Sequence, residues 1–226
     1  MRILVVAATS AEIDPVVAGL RHRSDGDSGV TAYTRLGHDV DVLRTGIGMV
    51  ATAAWCSHVL GRCEYDMALN LGICGSFDRA LAPGIVVHVV TDGMPELGAE
   101  DDEGFLTIEE LNLPGSNEPP LKGGRLRNVT PPSNVVLSRL PAVRGITVNT
   151  VHGNDASIAA IVRRCDPQVE SMEGAAFMYA CLIHKRPFAQ VRAVSNMVER
   201  RNRGAWKIAD AIRTLGETAL GILDHA

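Results

Sequence analysis

The chain reads as an α/β fold, and three observations carry that prediction. It opens on a nearly continuous apolar run at residues 2–8, RILVVAA, the pattern of a strand covered on both faces. Further apolar runs of strand length are followed by segments with helical three-four spacing. Its 226 residues are 46% hydrophobic and 21% charged, enough apolar material for one large domain with a substantial core.

After the first strand a helix is expected over 10–20. Thr9 and Glu12 have the spacing of a capping box, in which the carboxylate reaches back to a backbone N–H. Residues 30–45 read as two strands around Gly37 and His38. The string Gly46-Ile47-Gly48-Met49-Val50-Ala51 then opens a helix running to about residue 60. These glycines approach the dinucleotide fingerprint, but they follow the third strand rather than the first, and no ribose-binding acid follows them. A glycine turn at a strand–helix junction accounts for them.

A strand at 66–71 ends in Gly72-Ile73-Cys74-Gly75-Ser76, read as a tight turn whose small residues would let backbone approach a ligand. Residues 91–133 differ in character. They hold six of the eleven prolines and the acidic run 100–103, and they read as a long excursion with one short helical piece at 107–111. It is either a solvated loop or a functional one. Strand is expected again at 145–151 and helix at 155–164.

At 170–176 a polar entry leads into an apolar helix. Met172, Ala175, Ala176, Tyr179, Ala180 and Ile183 form its buried stripe, Ser171 is a suitable N-cap, and Glu173 falls in the first turn. Helix-dipole electrostatics alone would justify a carboxylate there. A strand at 188–194 ends at Ser195 and Asn196, where an asparagine bonded to its own backbone is the plain reading. An amphipathic helix over 204–223 closes the chain. No repeat or linker divides it, so one domain spanning 1–226 is expected, with the Pro-rich acidic excursion at about 92–133.

A net charge of −4 without a long basic block argues against a nucleic-acid surface. Residues 3–8 are too short for a membrane span and lack the flanks of a targeting signal. Five cysteines (Cys56, Cys63, Cys74, Cys165, Cys181) without a CxxC pair argue for reduced thiols in a cytoplasm and against a zinc site. A small-molecule ligand is the partner class that remains.

Ser-Met-Glu-Gly-Ala-Ala at 171–176, with Arg-Ala-Val-Ser-Asn at 192–196, resembles the nucleoside phosphorylase and nucleosidase superfamily. The resemblance implies a three-layer α/β/α domain with a central twisted mixed sheet, no cofactor or metal, a nucleoside substrate and a homo-oligomer. It implies that Met172 packs on the ribose and that Glu173 accepts hydrogen bonds from its hydroxyls, a task suited to an acceptor-only carboxylate. It makes Glu12 the general base of a hydrolase and places Ile73, Cys74 and Gly75 against the substrate. Phosphorylases of this kind grip phosphate with an arginine and a serine or threonine around the glycine turn. Here those positions are Asn70 and Ile73, which favours water as the nucleophile. Asn196 stands where adenine-releasing relatives carry an aspartate. With the stretch 95–101 it points to hydrolysis of a 6-oxopurine nucleoside, with an adenine-releasing nucleosidase, a phosphorylase or a non-catalytic nucleotide-binding module as alternatives.

Overall fold

The computed structural model describes residues 1–25, 29–102 and 104–226. In chain order the elements are β1 (Arg2–Ala7), α1 (Ser10–Val17), β2 (Arg21–Asp25), β3 (Val30–Arg35), β4 (His38–Arg44), α2 (Met49–Leu60), β5 (Met67–Ser76) and β6 (Val86–Gly93). They continue with β7 (Gly98–Asp101), β8 (Gly104–Thr107), β9 (Arg125–Arg127), β10 (Ala142–Thr147), α3 (Asp155–Cys165), β11 (Val169–Ser171), α4 (Gly174–Ile183), β12 (Phe188–Met197) and α5 (Ile208–Asp224). The main sheet runs β11-β10-β6-β12-β5-β1-β4-β3-β2, with β9 pairing on β6.

The first strand shows why three layers form. Because successive side chains of a strand point to opposite faces, an apolar run with no alternation needs cover on both. Ile3, Val5 and Ala7 pack into one core with Ile13 and Val16 of α1 and Ala211, Leu215, Ala219 and Ile222 of α5. Leu4 and Val6 pack into a second core with Cys56 and Val59 of α2 and Phe177, Met178 and Cys181 of α4.

One half of the sheet closes on itself. β11 runs parallel to β10 (Gly145 opposite Val169) and also antiparallel to β5 (Val169 opposite Ser76, Glu170 opposite Gly75). The strands β5, β12, β6, β10 and β11 therefore form a ring. Val87, Val89, Val143, Val169, Val194 and Cys74 pack together as one of its cores.

Several elements differ from the sequence expectation. The expected tight turn at 72–76 is strand: β5 continues to Ser76 because β12 follows it as far as Met197 and β11 takes its other side, and glycine costs no ladder bond. The strand expected at 145–151 lies at Ala142–Thr147. Ser171 is not an N-cap but the last residue of β11, so Glu173 occupies the N-cap position of α4 rather than its first turn. The one-sided stripe expected for α4 is absent as well. Met172 precedes the helix, Ile183 is exposed, and Phe177, Met178 and Cys181 are sealed between α2 and the sheet. The excursion carries a β7–β8 hairpin and β9, and its helical piece is a single turn held by the Leu111 N–H on the Thr107 carbonyl at 2.9 Å. Glu103 of the acidic run lies outside the described residues.

Where α4 meets the sheet, the carboxyl of Asp92 on β6 is fully buried. Its Oδ1 accepts from the Gly93 N–H (2.8 Å) and Thr147 Oγ1 (3.1 Å), and its Oδ2 from Gln190 Nε2 (3.0 Å). Thr147 Oγ1 in turn accepts the Ala175 N–H in the first turn of α4 at 2.7 Å. Only glycine lets the helix start so low, since a Cβ on Gly174 would lie 2.0 Å from Gln190 Nε2 and 2.4 Å from Asp92 Oδ2.

Burial pushes the Asp92 carboxyl up to about 6, against the pull of its three hydrogen-bond donors and of Arg192. A carboxyl raised on folding stabilises fully only below its unfolded value, and that contribution is lost as pH rises through the folded value. Asp92→Asn removes the titration, and Gln190 can turn its unpartnered Oε1 toward the new amide. In urea unfolding from pH 4 to 8, the wild type is expected to lose up to about 3 kcal/mol relative to Asp92→Asn, at 1.36 kcal/mol per unit. Parallel profiles for the two proteins would contradict this.

Candidate functional site

Two glycines on β5, three residues and so roughly 10 Å apart along a strand, mark two clusters of polar side chains. The first surrounds Gly72. Glu12, in the first turn of α1, is buried; its Oε2 accepts from the Thr9 N–H (3.0 Å) and Thr9 Oγ1 (2.7 Å), which is the capping box. Its Oε1 turns the other way and accepts the Ile73 N–H at 3.2 Å. The same carboxylate thus caps a helix and reaches β5.

Arg192 on β12, the in-register neighbour of Gly72, approaches the same point on the same face. It is among the largest fully buried side chains, donates through Nη2 to Asn70 Oδ1, and leaves its buried Nε without a partner among the described residues. A Cβ on Gly72 would sit 2.9 Å from Arg192 Nη1 and 3.0 Å from Glu12 Oε1. The missing side chain is what lets cation and carboxylate come together over one face of the strand.

Glu173 completes this cluster. Its Oε1 accepts the Gly48 N–H at 3.0 Å, offered by a turn in which Gly46 and Gly48 both have positive φ, at 87° and 94°. Those two conformations explain the glycines that resembled a dinucleotide motif. Burial raises the Glu173 carboxyl above its ordinary value; Arg192 and the Gly48 N–H pull it down, and Glu12 adds to the rise. Glu12, Glu173 and Arg192 therefore share one electrostatic neighbourhood. Met172, between β11 and α4, is half-buried next to Glu173.

The second cluster surrounds Gly75, which pairs with Asn196 on one side and Glu170 on the other. A Cβ there would lie 3.4 Å from Asn196 Nδ2 and 3.5 Å from Glu170 Cγ. A bulge at Ser195 sets Asn196 opposite Gly75. Asn196 Nδ2 donates to the Met197 carbonyl (2.9 Å), and Ser195 Oγ donates to Asn196 Oδ1 (2.8 Å). Since a carbonyl only accepts, that contact fixes which way round the amide sits. Glu170 Oε1 accepts the His152 N–H at 3.1 Å, and its Oε2 lies 2.6 Å from His152 Nδ1.

Of the remaining candidates, Ile73 contributes its backbone N–H, while its side chain packs against the α1–α5 core. Cys74 packs its thiol inside the ring and offers its carbonyl to Ser195 Oγ at 3.1 Å. Burial pushes that thiol up to about 12, so it stays neutral. Among the described residues no group of three or more His, Cys, Asp or Glu is placed to hold a metal ion, and no helix is long and apolar enough to cross a membrane.

The model of the Phosphorylase superfamily matches residues 2–226. The chain belongs to that superfamily. A futalosine hydrolase of Acidothermus cellulolyticus is 34% identical over 219 residues, covering 94% of this chain and 86% of that protein. The futalosine hydrolase of Streptomyces coelicolor is 31% identical over 229 residues, covering 95% and 92%. The solved structure of futalosine hydrolase from Helicobacter pylori superposes with a TM-score of 0.82 at 13% identity over 99% of this chain and 97% of that one, a likeness of fold.

In this phosphorylase-superfamily chain, sequence reasoning assigned no role to Arg192, His152 or Glu170. Arg192 had a visible signal: an arginine inside an otherwise apolar strand, FAQVRAV, must either break the strand or be buried for a reason. His152 and Glu170 had none, because their 18-residue separation becomes a contact only through the parallel pairing of β11 on β10, the strand that leads into His152.

Gly72→Ala is expected to cost about 1–3 kcal/mol of stability, the usual toll of overpacking. The added methyl meets a carboxylate and a guanidinium that cannot withdraw without losing the Ile73 N–H or Asn70. A urea midpoint equal to the wild type would show that the pair has slack.

Proposed function

We propose that the chain hydrolyses the N-glycosidic bond of a 6-oxopurine nucleoside, futalosine, releasing hypoxanthine, a step of menaquinone biosynthesis. The observation that carries the reading is the fixed amide of Asn196. One of its N–H bonds is spent on Met197, which leaves the other for a 6-oxo group and Oδ1 for a protonated N7. A 6-amino group would meet a donor with a donor. The two futalosine hydrolases over 30% identical support the same substrate.

Cleaving the bond puts positive charge on the ribose and negative charge on the departing base. The Gly72 cluster suits the sugar end. Glu12, anchored by Thr9 and the Ile73 N–H, takes a proton from the attacking water, a contribution of roughly 10²–10⁴-fold. Arg192 turns a guanidinium edge to the same space and positions that water. Glu173, held by Gly48, accepts from the ribose hydroxyls and faces the developing cation, and Met172 packs against the sugar. Ile73, Cys74 and Gly75 then run beneath the nucleoside as bare backbone toward Asn196.

Water rather than phosphate fits the charge count. Asn70 and Ile73 supply no phosphate grip, and Asn70 is already engaged by Arg192. Two carboxylates beside one guanidinium repel an incoming phosphate, whereas neutral water carries no such penalty. We further read the protein as a cytoplasmic homo-oligomer that needs no cofactor.

Three outcomes are expected from chromatographic assays of base release. Hypoxanthine appears from futalosine without added phosphate; dependence on phosphate with formation of a ribose 1-phosphate would make the enzyme a phosphorylase. Glu12→Gln loses at least about 100-fold in kcat while substrate still binds, because the amide keeps the shape and cannot accept a proton; near-normal turnover would return Glu12 to helix capping alone. Asn196→Asp shifts preference toward 6-amino purine nucleosides, and equal wild-type rates on matched 6-oxo and 6-amino substrates would remove the assignment of the base.

A further inference from the structure

The proposed reaction leaves one proton unaccounted for. The base departs with the electron pair of the glycosidic bond and must be protonated on the ring, and an amide such as Asn196 has no proton to give. On the other side of Gly75 from Asn196 stands Glu170, paired with His152.

The pair is built as a proton donor. Glu170 is buried and spends one oxygen on the His152 backbone N–H, which holds the loop after β10, and the other on His152 Nδ1 at 2.6 Å. A carboxylate is acceptor-only, so Nδ1 carries the hydrogen and Nε2 is the exchangeable nitrogen. Phe77, the residue directly after β5, meets the imidazole edge-on with ring centroids 6.2 Å apart and limits its rotation. Nε2 makes no protein hydrogen bond among the described residues, and it is not a sealed atom: it is absent from the buried polar atoms that lack a partner. On the same loop Glu96 accepts from the Asn149 N–H and from its side-chain amide, each at 3.0 Å. Arg201 lies against Gly153 and turns its guanidinium over Trp206, while Cys74 and Arg192 lie beyond Glu170.

We infer that His152, charged and held by Glu170, is the general acid that protonates the leaving purine. The inference rests on the nucleosidase reading above. As the C–N bond breaks, its electrons pass to the base and the proton on His152 Nε2 forms an N–H bond on the purine ring. Water attacks the sugar carbon and gives its proton to Glu12. Transfer of that proton back to His152 through solvent restores both groups, so the net reaction consumes one water. A role confined to loop anchoring would use Glu170 and the His152 backbone and would not need the imidazole to titrate.

The test is the pH dependence of kcat for hypoxanthine release from futalosine or inosine, with KM measured alongside. The wild type is expected to lose rate on the alkaline side, as a reaction that needs a proton donor does. His152→Gln is expected to lose on the order of 100-fold in kcat near neutral pH, to keep KM within a few-fold, and to lose that alkaline limb. Glu170→Gln replaces the acceptor that holds Nδ1–H and fixes the ring, so its kcat should also fall, with KM within a few-fold. A His152→Gln profile that keeps its alkaline limb, or a kcat within twofold of wild type, overturns the inference. If His152→Gln shows no cooperative unfolding transition, Glu170→Gln decides, and a kcat within twofold of wild type overturns the inference. A wild type that releases no base from any purine nucleoside refutes the functional reading itself, an outcome distinct from an active wild type indifferent to His152.

Discussion

The guanidinium of Arg192 is 1% exposed, and the arrangement of the site follows from keeping a cation there. Taking a charge out of water costs several kcal/mol after relaxation, and neighbours must offset it. The structure does so without a direct ion pair among the described residues. Asn70 accepts one nitrogen, Glu12 stands across the empty side of Gly72, and Glu173 lies close enough to feel the charge. Each partner arrives on a different element: Asn70 on β5, Glu12 on α1, Glu173 at the head of α4. A single buried charge therefore ties four segments of the chain, β12 included, to one point. That point cannot be repacked with apolar residues without losing the reason these elements meet.

The two ends of the site are chemically unlike, and the difference matches what a glycosidic cleavage needs. Around Gly72 there are two carboxylates and a cation, suited to hold water and to face positive charge on a sugar. Around Gly75 there is an amide with fixed orientation and an imidazole–carboxylate pair, groups that on the proposed reading meet the purine. Strand β5 joins them with small or backbone-only contacts. β12 holds one edge along the whole stretch, and β11 takes the other at Gly75 and Ser76.

Much of this was legible in the sequence because it depends on short-range pattern. The apolar first strand, the Thr9–Glu12 spacing and the glycines before α2 each act within a few residues, and each is found as read. Glu12 shows the capping box as read and one contact that was not, since its second oxygen holds the Ile73 N–H of β5. What could not be read depends on pairing between distant segments. β6, with a histidine in the middle of VVHVV, and the three-residue β11 have no periodic signature of their own. The Gly72–Ser76 stretch looks like a turn by composition and is strand because of partners more than a hundred residues away. Ser171 looks like a helix cap until β11 claims it for the sheet.

The closure of β11 on both β10 and β5 also makes the site an object of long-range pairing. Val169 and Glu170 pair with Ser76 and Gly75 more than ninety residues away, and β12 pairs with β5 across a still longer separation. β11 carries Glu170 and leads directly into Met172 and Glu173, while β12 carries Arg192 and Asn196, so each of the two strands contributes to both ends of the site. A fold so rich in non-local pairing incurs its loop-closure entropy before those contacts offset it, which places the chain on the slow side of folding for its size. Neither cluster exists in any fragment that lacks one of these strands.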